Sequence, residues 1–244
     1  MSGGRQLALA LSVPVSRHRA DLIEDASNAE ALAWLDRPGD WPLGRFAIHG
    51  PPGVGKSHML AAMAEAHGWA MLDATMLRGL PELPGAGVVL DDADCAAEEA
   101  ALFHLINLCA ERGAKLLLAG RRPPARWPVA LPDLASRLRA TAAAGIGPPS
   151  DALLGALLAK LFADRQLRVA PDLQSWLLAR LPREAAALAE AVARLDRAAL
   201  AARVPVTRGL ARSVLGGWEE FDIITNDGFE ASSSGASPVL PTLL

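Results

Sequence analysis

The chain has 244 residues, 51% of them hydrophobic, and a formal net charge of -3 at pH 7. That length buries one substantial core plus a small second unit, and the charge excludes a global basic field of the kind that holds nucleic acid by phosphate neutralisation. The two cysteines, Cys95 and Cys109, form no CxxC pair and have no paired histidines nearby, which argues against a disulfide framework or a zinc site and fits a reducing cytoplasm.

No apolar run reaches the roughly 18 residues of a bilayer span, and the first residues lack the charged-then-apolar pattern of a signal peptide. "GRQLALALSV", residues 4–13, instead spaces Leu7, Leu9 and Leu11 two apart between glycines and Pro14. Alone it reads as an edge strand or a disordered tail. Ser27 followed by Glu30 makes a capping-box pattern, and Ala31, Leu32 and Leu35 share one face of a first helix before Pro38 and Gly39.

"RFAIHG" (45–50) reads as a buried strand, followed by a glycine-rich turn and the helix-compatible "GKSHMLAAMAEAHG". "WAMLD" (69–73), "AGVVLD" (86–91) and "AKLLLA" (114–119) are three further strands, separated by turns or by a helix carrying Leu102, Leu105, Ile106 and Cys109. The pattern predicts α/β architecture with a mostly parallel sheet. From Ser150 the period becomes helical: Leu153, Leu154, Leu157, Leu158, Leu161 and Phe162 mark one helix, and Leu188, Val192, Leu195 and Ala199 another. "GIGPP" (145–149) is the expected hinge, and residues from about 219 read as a flexible tail.

"GPPGVGKS", Gly50, Pro51, Pro52, Gly53, Val54, Gly55, Lys56 and Ser57, satisfies the GxxxxGK[ST] phosphate loop and stands between a strand and a helix. Gly53 and Gly55 turn backbone amides toward a phosphate chain, the helix N-terminus adds positive potential, Lys56 reaches the terminal phosphates and Ser57 can hold magnesium. "VVLDDAD" (88–94) supplies the second half, a strand delivering Asp91 for the magnesium shell and Asp92 to orient attacking water. Two aspartates after a strand are by themselves an ordinary turn; the phosphate loop is what gives them a role.

These residues, with "DASNAEALAWLDR", "GKSHML", "RRPPARW", "LPDLASRL" and "LPREAAALAEAVARLDRAAL" in order, carry a resemblance over most of the chain. It resembles the DnaA-related AAA+ family, and within it the Hda regulators most. The resemblance implies an α/β AAA+ module with a five-stranded parallel sheet, followed by a small all-helical lid. The implied units are a tail at 1–20, a nucleotide-binding domain at 21–147, a lid at 148–218 and a second tail at 219–244.

It further implies that Arg137 of "LASRL" is an arginine finger entering a neighbouring subunit's site, where a guanidinium stabilises charge on the transferred phosphoryl group. Arg183 of "LPREA" corresponds to the lid arginine that senses phosphate. Without the resemblance, both are ordinary surface charges. "QLALAL" resembles the Gln-Leu-x-Leu peptide with which Hda proteins bind the sliding clamp, the β subunit of DNA polymerase III, so Gln6, Leu7, Leu9 and Leu11 become clamp-binding candidates.

The implied function is negative regulation of replication initiation in the cytoplasm: the protein binds ADP or ATP with Mg2+, docks on the DNA-loaded clamp and stimulates hydrolysis of ATP held by DnaA. DNA is met only through these partners, because the 28 residues after Gly216 leave no room for a helix-turn-helix domain and "WEEFD" would repel phosphate. Homo-oligomers are allowed by this reading and a membrane partner is not. The alternative is a self-assembling ATPase, or a motor like a helicase loader, hydrolysing ATP itself.

One departure bears on that choice: where the family usually has a polar or acidic residue near the end of the fourth strand, this chain has Gly120 and Arg121. The five histidines are scattered and the six tryptophans form no basic-aromatic series, so packing explains them better than metal ligation or base stacking. Arg121, Arg122 and Arg126, with Arg137 and Arg139, either face an acidic partner or lie in a solvated loop.

Overall fold

The computed structural model describes residues 18, 19, 22–80 and 85–218. Five strands, β1 (Arg45–His49), β2 (Ala70–Asp73), β3 (Gly87–Asp91), β4 (Lys115–Gly120) and β5 (Ala142–Gly145), form one sheet in the order β2-β3-β4-β1-β5, with every pairing parallel. The first four lie within a residue or so of their expected positions. The fifth, "AAAG", carries too little apolar bulk to stand out in the sequence.

The three inner strands β1, β3 and β4 are near-continuous apolar runs because helices cover both faces. Side-chain alternation divides them. Ala47, Val88, Leu90, Leu116 and Leu118 pack under α3 (Glu99–Arg112) and α4 (Pro132–Arg139). Phe46, Ile48, Val89, Leu117 and Ala119 pack under α1 (Ala29–Leu35) and α2 (Lys56–His67), where Trp41 and Trp34 stack on Phe46. Full burial of each such side chain contributes about 1.5–3 kcal/mol.

After β5 come four helices, α5 (Asp151–Asp164), α6 (Pro171–Leu178), α7 (Ala185–Ala202) and α8 (Arg208–Leu215). They enclose their own apolar cluster, with Leu158, Leu177, Leu195 and Leu215 fully buried. The expected leucine stripes lie on α5 and α7. The shorter α6 and α8 were not separated in the sequence reading, although Pro171 at the first turn of α6 and the Thr207 hydroxyl accepting from the Leu210 N–H are ordinary start signals.

The expected capping box does not form. Ser27 lies one residue before the N-cap position, which Asn28 occupies without a side-chain cap bond, and the Ser27 N–H and hydroxyl (2.7 Å) both donate to Asp25. Asn28 precedes α1 instead, accepting from the Asp25 N–H (2.8 Å) and donating to the Ile23 carbonyl (3.0 Å). Asp25 also receives the hydroxyl of Ser150, the N-cap of α5, at 2.8 Å. The Gly147 N–H donates to the Ser27 carbonyl. The expected hinge thus has no regular structure after Gly145 but is stitched to the segment before α1. Among the described residues no helix is long and apolar enough to cross a membrane.

Candidate nucleotide site

The phosphate loop runs from the C-terminal end of β1 to the first turn of α2. Gly50 is required by close approach: a Cβ there would lie 2.3 Å from the Ile146 carbonyl oxygen. Gly53 and Gly55 have φ of 79° and 95°, the left-handed region that only glycine enters freely. Because Gly55 is the N-cap of α2 and has no side chain to offer, the free N–H groups of the first turn are left for an anion.

Lys56 is buried, and its ammonium donates to the Gly50 and Pro51 carbonyls, both at 2.8 Å. Desolvation pushes its pKa down, against the upward pull of Asp91, Asp92 and Asp94. The lysine the phosphate chemistry needs is therefore held over the loop rather than extended into solvent.

Asp91 ends β3 and accepts the Asp92 N–H at 3.0 Å. Asp92 has φ of 47°, a strained value for a residue with a Cβ, and its carboxyl is pushed up by burial and then by Asp91, Asp94 and Asp73. Asp94 was not singled out from the sequence, although it is the third acid of "VVLDDAD". Its Oδ2 accepts the Arg121 N–H at 2.8 Å, tying this acidic turn to the end of β4.

These parts line a cavity of about 580 Å³. Pro52, Gly53, Gly55, Lys56, Ser57, His58, Asp91, Asp92 and Arg121 make the wall on the sheet side. Leu157 and Leu161 of α5 and Ala185, Ala186 and Ala189 of α7 make the opposite wall. A smaller apolar cavity of about 100 Å³ adjoins it, sharing Gly53, Gly55, His58, Leu157 and Ala185 and adding Leu22, Ile23, Val54 and Leu154. A charged compartment joined to an apolar one fits a molecule with phosphates at one end and a flat base at the other. Ser57 and Asp91 both line the charged end, a two-residue set suited to magnesium, which takes the rest of its shell from phosphate oxygens and water.

The two expected arginines lie outside the cavity lining. Arg137 is exposed on α4. Its carbonyl accepts from the Thr141 hydroxyl (2.9 Å) and from Nη2 of Arg45 (3.1 Å), while Arg45 Nε donates to Thr141 at 2.8 Å. Arg45 is only 3% exposed, and no sequence pattern marked it: an arginine opening a strand looks like an ordinary edge charge. Arg183 pairs with Asp151 and donates to the Pro149 carbonyl (3.2 Å), so it braces the start of the lid. Its neighbour Glu184 is the residue at the loop, since a Cβ on Gly53 would meet the Glu184 carboxyl carbon at 2.6 Å. Pro51 is exposed and Val54 half-buried in the loop, and Gln6, Leu7, Leu9 and Leu11 lie outside the described residues.

A parallel sheet of this order, with a phosphate loop after its first strand, an acidic turn after its third and a helical unit closing the cavity, defines an AAA+ protein. Residues 153–215 match the family model described as the lid domain of Hda. Domain III of the replication initiation protein DnaA from Thermotoga maritima superposes with a TM-score of 0.68 at 15% identity, covering 82% of this chain and 95% of that one. A replication initiator DnaA bound to AMPPCP and single-stranded DNA gives 0.61 at 16% identity, over 81% and 67% of the two chains. The Thermotoga maritima RuvB Holliday junction branch migration motor gives 0.59 at 13% identity, over 82% and 72%. The described residues thus share the AAA+ fold of DnaA domain III, and residues 153–215 resemble the lid of Hda.

Proposed function

We propose that this chain is a regulator of replication initiation that acts in the cytoplasm on DnaA. In this reading it holds ADP or ATP in the cavity, with Mg2+ at Ser57 and Asp91. It docks on the DNA-loaded sliding clamp through Gln6, Leu7, Leu9 and Leu11, and it inserts Arg137 into the nucleotide site of DnaA. The observation that carries it is the placement of Arg137, which is exposed, outside its own cavity and on a helix end fixed by Arg45 and Thr141. An exposed guanidinium carried on an anchored helix end, outside the chain's own cavity, serves a neighbour's phosphoryl group better than its own. Lys56 and the N–H groups of the loop hold this chain's own nucleotide, whose identity biases how the lid sits over the cavity.

The test is ATP hydrolysis by DnaA in the presence of clamp loaded on DNA and this protein. Wild type should accelerate it, Arg137→Ala should lose the acceleration by roughly 1,000-fold, the low end of what an arginine finger supplies, and Gln6→Ala should lose it by failing to reach the clamp. Clamp binding by Arg137→Ala should be intact. Acceleration that survives Arg137→Ala would reduce the protein to an adaptor. Steady ATP turnover by the purified protein with no effect on DnaA would replace the regulator with a self-assembling ATPase.

A further inference from the structure

The cavity takes its lid-side wall from α5 and α7, whereas α6 and α8 build a second, charged face. At its centre is Trp176 of α6, with the guanidinium of Arg180 at 4.5 Å from the ring centroid, Arg208 at 5.5 Å and Arg212 at 5.9 Å. Arg208 and Arg212 are exposed and one turn apart on α8. The indole face attracts each cation, but the three cations repel one another. An anionic group placed among them relieves that repulsion.

The charge of the lid points the same way. Residues 151–218 hold ten arginines and lysines against six acids. Four of those acids are in ion pairs with other basic residues: Asp151 with Arg183, Asp164 with Lys160, Asp196 with Arg165, and Glu190 with Arg194 and Arg197. Glu184 lies against Gly53 of the phosphate loop, and Asp172 is one turn before Trp176 on α6. The lid therefore carries a positive excess, and three of its ten cations meet on this face.

The occupant is named by where the chain goes next. The described chain runs to Trp218, three residues beyond α8, and the Trp218 ring lies under Arg194 at 4.6 Å and packs on the lid core. The exit point is thereby fixed at the C-terminal end of the helix that carries Arg208 and Arg212. "EEFDIITNDGFE", residues 219–230, follows with five acids, Glu219, Glu220, Asp222, Asp227 and Glu230, and no lysine, arginine or histidine. The eight residues of α8 span about 12 Å at the usual helical rise. About four extended residues cover that distance at roughly 3.3 Å each, and the segment has about three times as many. Leu200 in the last turn of α7 and Val204 in the loop that leads into α8 are also exposed, and they offer apolar neighbours to Phe221, Ile223 and Ile224, which interleave with the acids.

We propose that the Trp176–arginine face of the lid is the docking site of the chain's own residues 219–230, whose carboxylates pair with Arg208 and Arg212 and cover the face against other polyanions. Tethering at Trp218 keeps the segment at a high effective concentration, so exposed pairs that are weak singly hold it together. The contact is independent of what the cavity binds.

The experiment follows chymotrypsin cleavage after Phe221 in the full chain by mass spectrometry, with a synthetic peptide of residues 216–230 of the same sequence as the undocked reference. The chains are wild type, Arg208→Glu with Arg212→Glu, Glu219→Lys with Glu220→Lys and Asp222→Lys, and the combination of all five substitutions. Arg208 and Arg212 are exposed and the three acids lie beyond the lid core, so the fold should be intact, which circular dichroism checks. Wild type should be cut about tenfold more slowly than its peptide, the effect of two or three exposed ion pairs acting together. Salt at about 1 M, where the screening length is about 3 Å, should remove the difference. Either charge reversal alone should remove it as well, and the combination should restore it.

A wild-type segment cut at the peptide's rate, or protection that neither charge reversal changes, overturns the proposal. Protection that fades as the protein is diluted would place the segment on a second copy and overturn docking within one chain. Binding of a fluorescent DNA duplex by wild type that is lost in Arg208→Glu with Arg212→Glu would give the face to phosphate and overturn it also.

Discussion

The two walls of the cavity are built on different principles. The sheet-side wall takes its charged atoms from the ends of three adjacent strands, so Lys56, Asp91, Asp92 and Arg121 are spaced by the register of β1, β3 and β4. The lid-side wall presents only leucine and alanine side chains from α5 and α7. Discrimination between phosphate states belongs to the wall with fixed charges. The other wall supplies apolar cover, whose contacts depend less on direction than hydrogen bonds do.

Removing the lid's own core is the strongest way to break this contrast. Leu158 is fully buried there, and Leu158→Ala should cost about 3 kcal/mol. Hydrogen exchange should show the loss confined to α5–α8 while β1, β3 and β4 keep their protection. Loss of protection across the sheet as well would mean the two cores fold as one unit.

Lys56→Ala sharpens the other side. Without its two bonds to the loop carbonyls and its charge on the phosphates, nucleotide affinity should fall roughly 100-fold, the effect of one or two charged hydrogen bonds, with thermal stability of the free protein nearly unchanged. Calorimetric titration with ADP checks this.

The smallest effect should come from the junction. Hydrogen bonds from Ser27 and then Ser150 hold the Asp25 carboxyl down to about 2. A carboxyl whose folded pKa lies below its unfolded value, about 3.9, stabilises the folded state above that value and loses the contribution as pH falls toward 2. Asp25→Asn should therefore melt slightly lower than wild type at pH 6, and the gap should close by about pH 2. A gap that persists at low pH would assign the effect to packing rather than to the ionised carboxyl.

The sheet and the loop were legible because their signals are local and redundant: apolar runs bounded by turns, and a glycine pattern followed by Lys-Ser. Less visible was anything decided by a neighbour distant in sequence. The need for Gly50 comes from the carbonyl of Ile146, 96 residues later. Trp127, seven residues later, is what leaves no room for a side chain at Gly120. Asp151, 32 residues upstream, pairs with Arg183 at the start of the lid, a partner that the sequence around Arg183 does not mark. Ser27 and Glu30 had the spacing of a cap, but the helix begins one residue later, with Asn28 at its N-cap.

Strand β1 begins with the arginine that anchors the carbonyl of Arg137 and ends at the loop that cradles phosphate. Its five residues span about 13 Å at the usual rise of a parallel strand, and hydrogen bonds on both sides keep that length fixed. The strand is thus a strut between the site that holds this chain's nucleotide and the proposed finger for a partner's. A strut of constant length carries no message by stretching. In the proposed assembly it would set how far this chain's nucleotide stands from the residue offered to the partner's, and a change of nucleotide would reach that partner by way of the helices that cover the cavity.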